Sequence, residues 1–134
     1  MRHPNHAGSF RELNVYKKAK LVSRAVFVLS KEFPREENYS LTDQIRRASR
    51  SIGAQIAEAW AKRRYERHFV SKLSDADAEQ METQHWLGEA CDCNYLDDKR
   101  AEQLLSELEQ IGRMLNSMME KSHLFCLSRT RTDH

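Results

Sequence analysis

Leu41-Thr42-Asp43-Gln44-Ile45-Arg46-Arg47-Ala48-Ser49-Arg50-Ser51-Ile52-Gly53-Ala54-Gln55-Ile56-Ala57-Glu58-Ala59-Trp60 is the stretch that decides the fold. Within it Leu41, Ile45, Ala48, Ile52, Ile56 and then Ala59 or Trp60 recur at spacings of three and four, which places them on one face of a helix over about 41–62. Ser40 stands before it as a good N-cap residue, with Asp43 three positions on. The one interruption is Gly53. A glycine there costs up to about 1 kcal/mol against alanine, so either two helices approach closely at that point, the favoured reading, or the helix is locally loose.

The same period runs on both sides of this segment. Ser9-Phe10-Arg11-Glu12 has the form of a capping box, in which the Ser9 hydroxyl accepts an early backbone N–H and Glu12 reaches back to the cap, so a helix is predicted over about 10–32. Its core row is Val15, Ala19, Val22, Val26 and Leu29, with Leu21, Ala25 and Val28 on an adjoining row. That face is wide enough to touch two neighbours. Phe33-Pro34 ends the helix, because the residue before proline avoids helical dihedrals. After a turn at Lys62–Arg67, a third helix over about 66–93 carries Phe69, Leu73, Ala76, Gln80, Thr83, Leu87 and Ala90, with Met81 and Trp86 off to its sides. Trp86 is therefore expected to face a second contact surface. Asn94-Tyr95-Leu96-Asp97-Asp98 supplies a turn and a cap, and a fourth helix over about 98–123 runs through Leu104, Leu108, Ile111, Leu115, Met118 and Met119. Residues 127–134 have no apolar period and read as a mobile tail.

Composition agrees with these periods. Four Gly and two Pro in 134 residues are too few turn formers for a many-stranded sheet, and an apolar fraction of 40% is too high for a disordered chain. One core usually serves about 100 to 200 residues, so residues 1–134 read as a single all-α domain, an up-down-up-down antiparallel four-helix bundle. The broad apolar face of the first helix and the displaced Trp86 leave surplus apolar surface available for subunit contacts. No run approaches the ~20 apolar residues of a membrane span, and Met1-Arg2-His3-Pro4-Asn5-His6 lacks the apolar stretch of a signal peptide. A cytoplasmic protein without membrane contact is the expectation. Cys91, Cys93 and Cys126 are odd in number, a poor disulfide framework, so reduced thiols are expected.

The net charge of +2 hides a polarised pattern. From Gln44 to Lys72 eight basic residues face two acids, a net of +6; from Asp75 to Glu109 eleven acids face two bases, a net of −9. Arg46 and Arg50 are four apart and share a row, Arg47 lies alongside, and Lys62, Arg63, Arg64 and Arg67 follow at one end of the same rod. A row of guanidiniums can fork phosphate oxygens, with affinity that falls as salt rises. The alternative is that these cations pair with the acidic stretch, within a subunit or across an oligomer contact. Only Tyr65 and Phe69 interleave with the basic turn, so phosphate contact with structured RNA or DNA fits better than base stacking on a single strand.

Motifs for catalysis, metal or cofactor do not assemble. Two Glu-x-x-His pairs, Glu82 with His85 and Glu120 with His123, raise the question of a di-metal carboxylate bundle. If the third and fourth helices meet near Tyr95, however, Glu82 lies 13 residues before the turn and Glu120 lies 25 after it. That offset of 12 residues is ~18 Å along the axes, whereas both pairs must sit at one level. Cys91-Asp92-Cys93 splays its sulfurs roughly 200° apart on a helix and has no second pair to complete a zinc site. No glycine-rich phosphate loop or nucleophile elbow is present. No catalytic, cofactor or metal residue is assigned, and the chain is read as a non-enzyme.

Leu41 to Ile52, with Gln55-Ile56-Ala57-Glu58, resembles the signature of the four-helix-bundle family named for reading frames inside 23S ribosomal RNA intervening sequences. Phe10, Leu13, Val15, Tyr16 and Ala19 resemble the start of that family's first helix, and Phe33-Pro34 with Glu37, Tyr39 and Leu41 its first loop. Phe69, Lys72, Leu73, Ala76, Glu79, Glu82, Thr83, Trp86, Leu87 and Tyr95-Leu96 resemble one branch of it, and the likeness covers about Phe10 to Lys121. The family usually has proline where Gly53 stands, asparagine at Gln55 and glycine at Ala59, so the second helix is expected to run straighter here. The resemblance implies a homo-oligomer, commonly a ring-like pentamer, without known catalysis. The family is similar in fold to accessory proteins of diversity-generating retroelements, which are basic pentamers that bind nucleic acid and a reverse transcriptase. What this implies here is a scaffold for RNA or DNA or for a ribonucleoprotein; the competing reading, from the charge pattern, is a protein-interaction scaffold whose basic and acidic faces pair between subunits.

Overall fold

The computed structural model describes residues 8–127; the expected tail after Leu127 and the first seven residues lie outside the described residues. Among the described residues there are four α-helices and no strand: α1 (Asn14–Ser30), α2 (Leu41–Ala61), α3 (Glu66–Asp92) and α4 (Asp98–Glu120). Three short 3₁₀ turns flank them, Phe10–Glu12, Arg35–Glu37 and Ser122–Leu124. The predicted core rows of the first three helices are buried residue for residue, and on α4 only Met119 is left half-buried. Helix α1 packs on α2 and α4, and α3 packs on the same two, with α2 against α3 the most extensive contact and α1 against α4 the slightest. Leu13, Phe33, Leu96 and Phe125 close the core from the connecting segments. No helix is long and apolar enough to cross a membrane among the described residues.

Local chemistry explains the ends. Ser9 does accept a backbone N–H, from Arg11, but it caps the 3₁₀ turn, and α1 begins only at Asn14. Glu12 accepts from the Gly8 N–H, not from the cap residue, so the capping-box reading is corrected. Ser40 makes no side-chain cap bond to α2; its hydroxyl donates to Glu37, which in turn accepts the Leu41 N–H. A carboxylate at a helix N-terminus suits the partial positive charge there, so Glu37 has taken the cap role expected of Ser40. Glu37 also accepts the Tyr95 O–H at 2.9 Å, tying the α1–α2 loop to the α3–α4 turn. Helix α3 stops at a Schellman motif: Asn94 takes φ 61, its N–H donates to Cys91 O, and Tyr95 N–H donates to Ala90 O. Asp97 then caps α4, accepting the Arg100 N–H at 2.8 Å. Helix α4 ends at Glu120, short of the predicted 123.

Gly53 does face a neighbouring helix, and a Cβ there would stand 3.4 Å from the Tyr16 ring, which is ordinary contact with a side chain. The tighter approach lies at Gly112 on α4, where a Cβ would stand 2.9 Å from Gln80 Nε2.

Candidate nucleic-acid interface

The interface is built on Phe27, a half-buried side chain of α1 beside the basic row of α2. The Arg46 guanidinium lies 4.7 Å from its ring centroid, Arg50 at 5.4 Å and the Lys31 ammonium at 4.8 Å. Each such contact with a ring face contributes roughly 0.5–1 kcal/mol at an exposed site. Arg46 is fixed further by donating its Nε–H to Ser30 Oγ at 2.7 Å, while the Ser30 hydroxyl donates to Phe27 O. Arg47 lies alongside and donates to Gln44 Oε1 at 3.1 Å. Among the described residues no ion pair engages Lys31, Arg46, Arg47 or Arg50. A ring attracts cations through its quadrupole but does not neutralise them, so this seam keeps its positive charge. Asn38, Thr42, Asp43, Arg46, Arg47, Arg50 and Ser51 line an open groove of about 430 Å³ beside it. Among the described residues the Asp43 carboxylate shares the groove with these cations without forming an ion pair with them, and the Thr42 hydroxyl is buried there without a hydrogen-bond partner.

The seven basic residues singled out from the sequence therefore fall into two groups. Arg47 and Lys62 are 15 residues apart, ~22 Å along a helix axis. In the second group Arg63 is committed to the fold: its guanidinium lies 3.5 Å from the Trp60 ring centroid, and its Nε–H donates to Trp60 O at the end of α2. Burial pushes this guanidinium below its ordinary pKa. A cation at a helix C-terminus is stabilised by the partial charge of the carbonyls, a structural use of Arg63. Lys62, Arg64 and Arg67 are exposed.

Pairing with the acidic stretch inside the subunit is slight. Glu79 feels Arg47, which lowers its pKa, but burial first and Glu82 second push it up, and the net shift is upward. Phe27, Ser30 and Lys31 were not legible as members of the site. Lys31 stands four residues after Phe27, but nothing in α1 alone indicates that their shared side meets Arg46.

Among the described residues no three His, Cys, Asp or Glu side chains are grouped so as to hold a metal ion. Glu82 accepts the Trp86 Nε1–H, and His85 lies edge-on to Trp86. Cys91, Cys93 and Cys126 form no disulfide among the described residues, and burial first, then Asp98, pushes Cys91 above its ordinary pKa, away from thiolate chemistry.

The molecule is thus an all-α four-helix protein with a cationic seam that no ion pair engages among the described residues. It belongs to the 23S rRNA-intervening sequence protein family, whose model matches residues 11–117. A solved structure from Bacteroides thetaiotaomicron, described as a protein with unknown function from the S23 ribosomal protein family, is 27% identical, with a TM-score of 0.72 over 79% of this chain and 98% of that one. No curated protein matches this chain.

Proposed function

We propose that this chain is a non-enzymatic, homo-oligomeric scaffold of the cytoplasm that holds phosphates of structured RNA or DNA on the Phe27 seam. The observation that carries this reading is the gathering of Lys31, Arg46 and Arg50 around one ring, engaged by no ion pair among the described residues. Cations held in place lose little side-chain entropy when a phosphate arrives, and each contact releases a counterion. The ribosomal-RNA name of the family accords with it. Lys62, Arg64 and Arg67 form a second, looser set for the same backbone, with Arg63 holding the turn between α2 and α3.

The domain is a single up-down-up-down antiparallel bundle in this reading. Contacts between neighbours run in opposite chain order: Tyr16 with Gly53 and Ser30 with Arg46, Asp77 with Asn116 and Gln80 with Gly112, Lys18 with Glu107 and Glu32 with Arg100.

The test is binding to labelled structured RNA and duplex DNA across a salt series, with native mass recorded beside it. Replacing Arg46, Arg47 and Arg50 by glutamine is expected to weaken binding evenly across sequences and to lower the slope of log affinity against log salt by about 3. Full affinity in that variant rejects the seam as the binding surface. Loss of the oligomer with no nucleic-acid binding to lose would instead favour a protein-interaction scaffold, in which basic and acidic faces pair between subunits.

A further inference from the structure

Helix α1 has a second flank, turned away from the Phe27 seam and toward α4. There Leu21 and Val28 are 63% and 55% exposed, and Ala25 between them is exposed as well. With Leu104 of α4 they line an open groove of about 650 Å³, framed by two ion pairs, Lys18 with Glu107 at 2.6 Å and Arg100 with Glu32 at 3.2 Å. Large apolar side chains left in water at helical spacing mark a contact surface. Charge indicates what covers it. Helix α1 carries Lys17, Lys18, Lys20 and Arg24 and no acid, a net of +4, whereas α3 carries seven acids against Arg67 and Lys72, a net of −5.

The outer face of α3 is the matching half. Ala78, Met81 and Gly88 are exposed along it, Met81 at 58%, and Asp75, Glu82 and Glu89 flank them. Gly88 is informative because a Cβ there would meet nothing within 4 Å, so within the subunit it costs helix stability and relieves no clash. Lys18 is already paired with Glu107 and Lys20 lies toward α2, but Lys17 and Arg24 stand on the row of Leu21 and Val28, so two such faces brought together would set cations against cations. A contact of one surface with its own copy is thus disfavoured, and α1 against α3 is complementary.

We infer that the α1–α4 groove of one subunit receives the outer face of α3 from a second copy of this chain, in a head-to-tail contact that repeats from subunit to subunit. The inference rests on the homo-oligomeric reading above and names its surfaces. A contact of this kind closes into a ring or runs on as a filament, and it leaves the Phe27 seam of every subunit open.

Native mass of four variants tests it: Leu21→Asp, Lys17→Glu with Arg24→Glu, Glu82→Lys with Glu89→Lys, and all four charge reversals in one chain. The substituted side chains are exposed, and helical circular dichroism with thermal melting verifies the fold of each. The first three are expected to lower the assembled mass to that of the monomer, and the fourth to restore it. Assembly retained in the first three, or failure of the fourth to recover while folded, overturns the head-to-tail pairing and leaves the oligomer standing. A wild-type chain that runs as a monomer throughout the concentration series overturns both. Nucleic-acid binding measured on the same variants separates this surface from the arginine row, since Arg46, Arg47 and Arg50 are intact in all of them.

Discussion

The seam between α1 and α2 and the seam between α3 and α4 each contain a buried glycine and a group of polar side chains, yet they handle polarity in opposite ways. In the first, Lys31, Arg46 and Arg50 gather around the Phe27 ring, and among the described residues no ion pair engages them. In the second, Gln80 Nε2 donates to Asp77 at 2.9 Å, Gln84 donates to Gln80 Oε1 at 2.7 Å, and Asn116 donates to Gly112 O at 2.8 Å. Each of these bonds closes within one helix, so the amides, of which Gln80 is fully buried, are satisfied locally, and a longer bond from Asn116 Nδ2 to Asp77 Oδ2 at 3.5 Å crosses between α4 and α3. Cations gathered around a ring keep their charge and their access to solvent, since Lys31 and Arg50 are exposed. The contrast separates polar groups satisfied within the subunit from cations left open to solvent, a distinction that charge counting along the chain does not make.

The largest effect that would break this contrast concerns affinity. The Arg46, Arg47 and Arg50 glutamine variant is expected to bind structured RNA on the order of 100-fold more weakly, since hydrogen bonds to charged groups contribute about 1.5–3 kcal/mol each before screening. The same change at Lys62, Arg64 and Arg67 is expected to cost about tenfold or less, and equal losses in a filter-binding series would mean the Phe27 seam has no special role. Next in size is Gly112→Ala, whose Cβ would press on Gln80 Nε2 and strain its bond to Asp77. After the helix-propensity gain it is expected to destabilise the protein by about 1–2 kcal/mol, read by urea unfolding.

Glu37 links the two seams at one end of the bundle, and its effect is a pH dependence. The Ser40 hydroxyl first and the Tyr95 hydroxyl second hold its carboxyl below the ordinary value, and the same bond pushes Tyr95 up to about 12. A carboxylate with a lowered folded pKa contributes stability that is complete above the unfolded value and is lost as pH falls through the folded one. A phenol with a raised pKa contributes stability that is lost as pH climbs toward about 12. Glu37→Gln is therefore expected to melt below wild type at pH 7, with the gap closing below roughly pH 4. A gap that stays constant down to low pH would remove the carboxylate from this account. The smallest effect belongs to Gly53→Ala. Its Cβ would meet Tyr16 at an ordinary contact distance, so a gain of up to about 1 kcal/mol is expected, and a loss as large as that at Gly112 would erase the difference between the seams.

Much of the fold was legible. Apolar residues at spacings of three and four specify a helix face by local geometry alone, and nearly every core position follows from that rule. Gln80 and Thr83 were correctly placed inside despite their polarity, because Thr83 can donate to Glu79 O four residues back and Gln80 finds Asp77 and Gln84 on its own helix. The ends were harder. Ser9 and Ser40 are both good cap residues by type, yet one caps a 3₁₀ turn and the other gives way to Glu37, since capping is a competition among all nearby oxygens. The candidate site was half legible. Arg46, Arg47 and Arg50 stand out as a row, but Phe27, Ser30 and Lys31 belong to another helix and carry no mark of where they meet it.

The sequence by itself therefore determined four helices, their inward faces and a chain divided into a basic and an acidic half, since period and composition act within a few residues. Only the tertiary structure decided which cations share a ring, that Arg63 serves the end of α2, that Gly112 and not Gly53 marks the tight crossing, and that Leu21 and Val28 stay in the open beside α4. Each of these depends on how far one helix is rotated about its axis against another. That rotation is set by the packing of side chains far apart in the chain, and no local period encodes it.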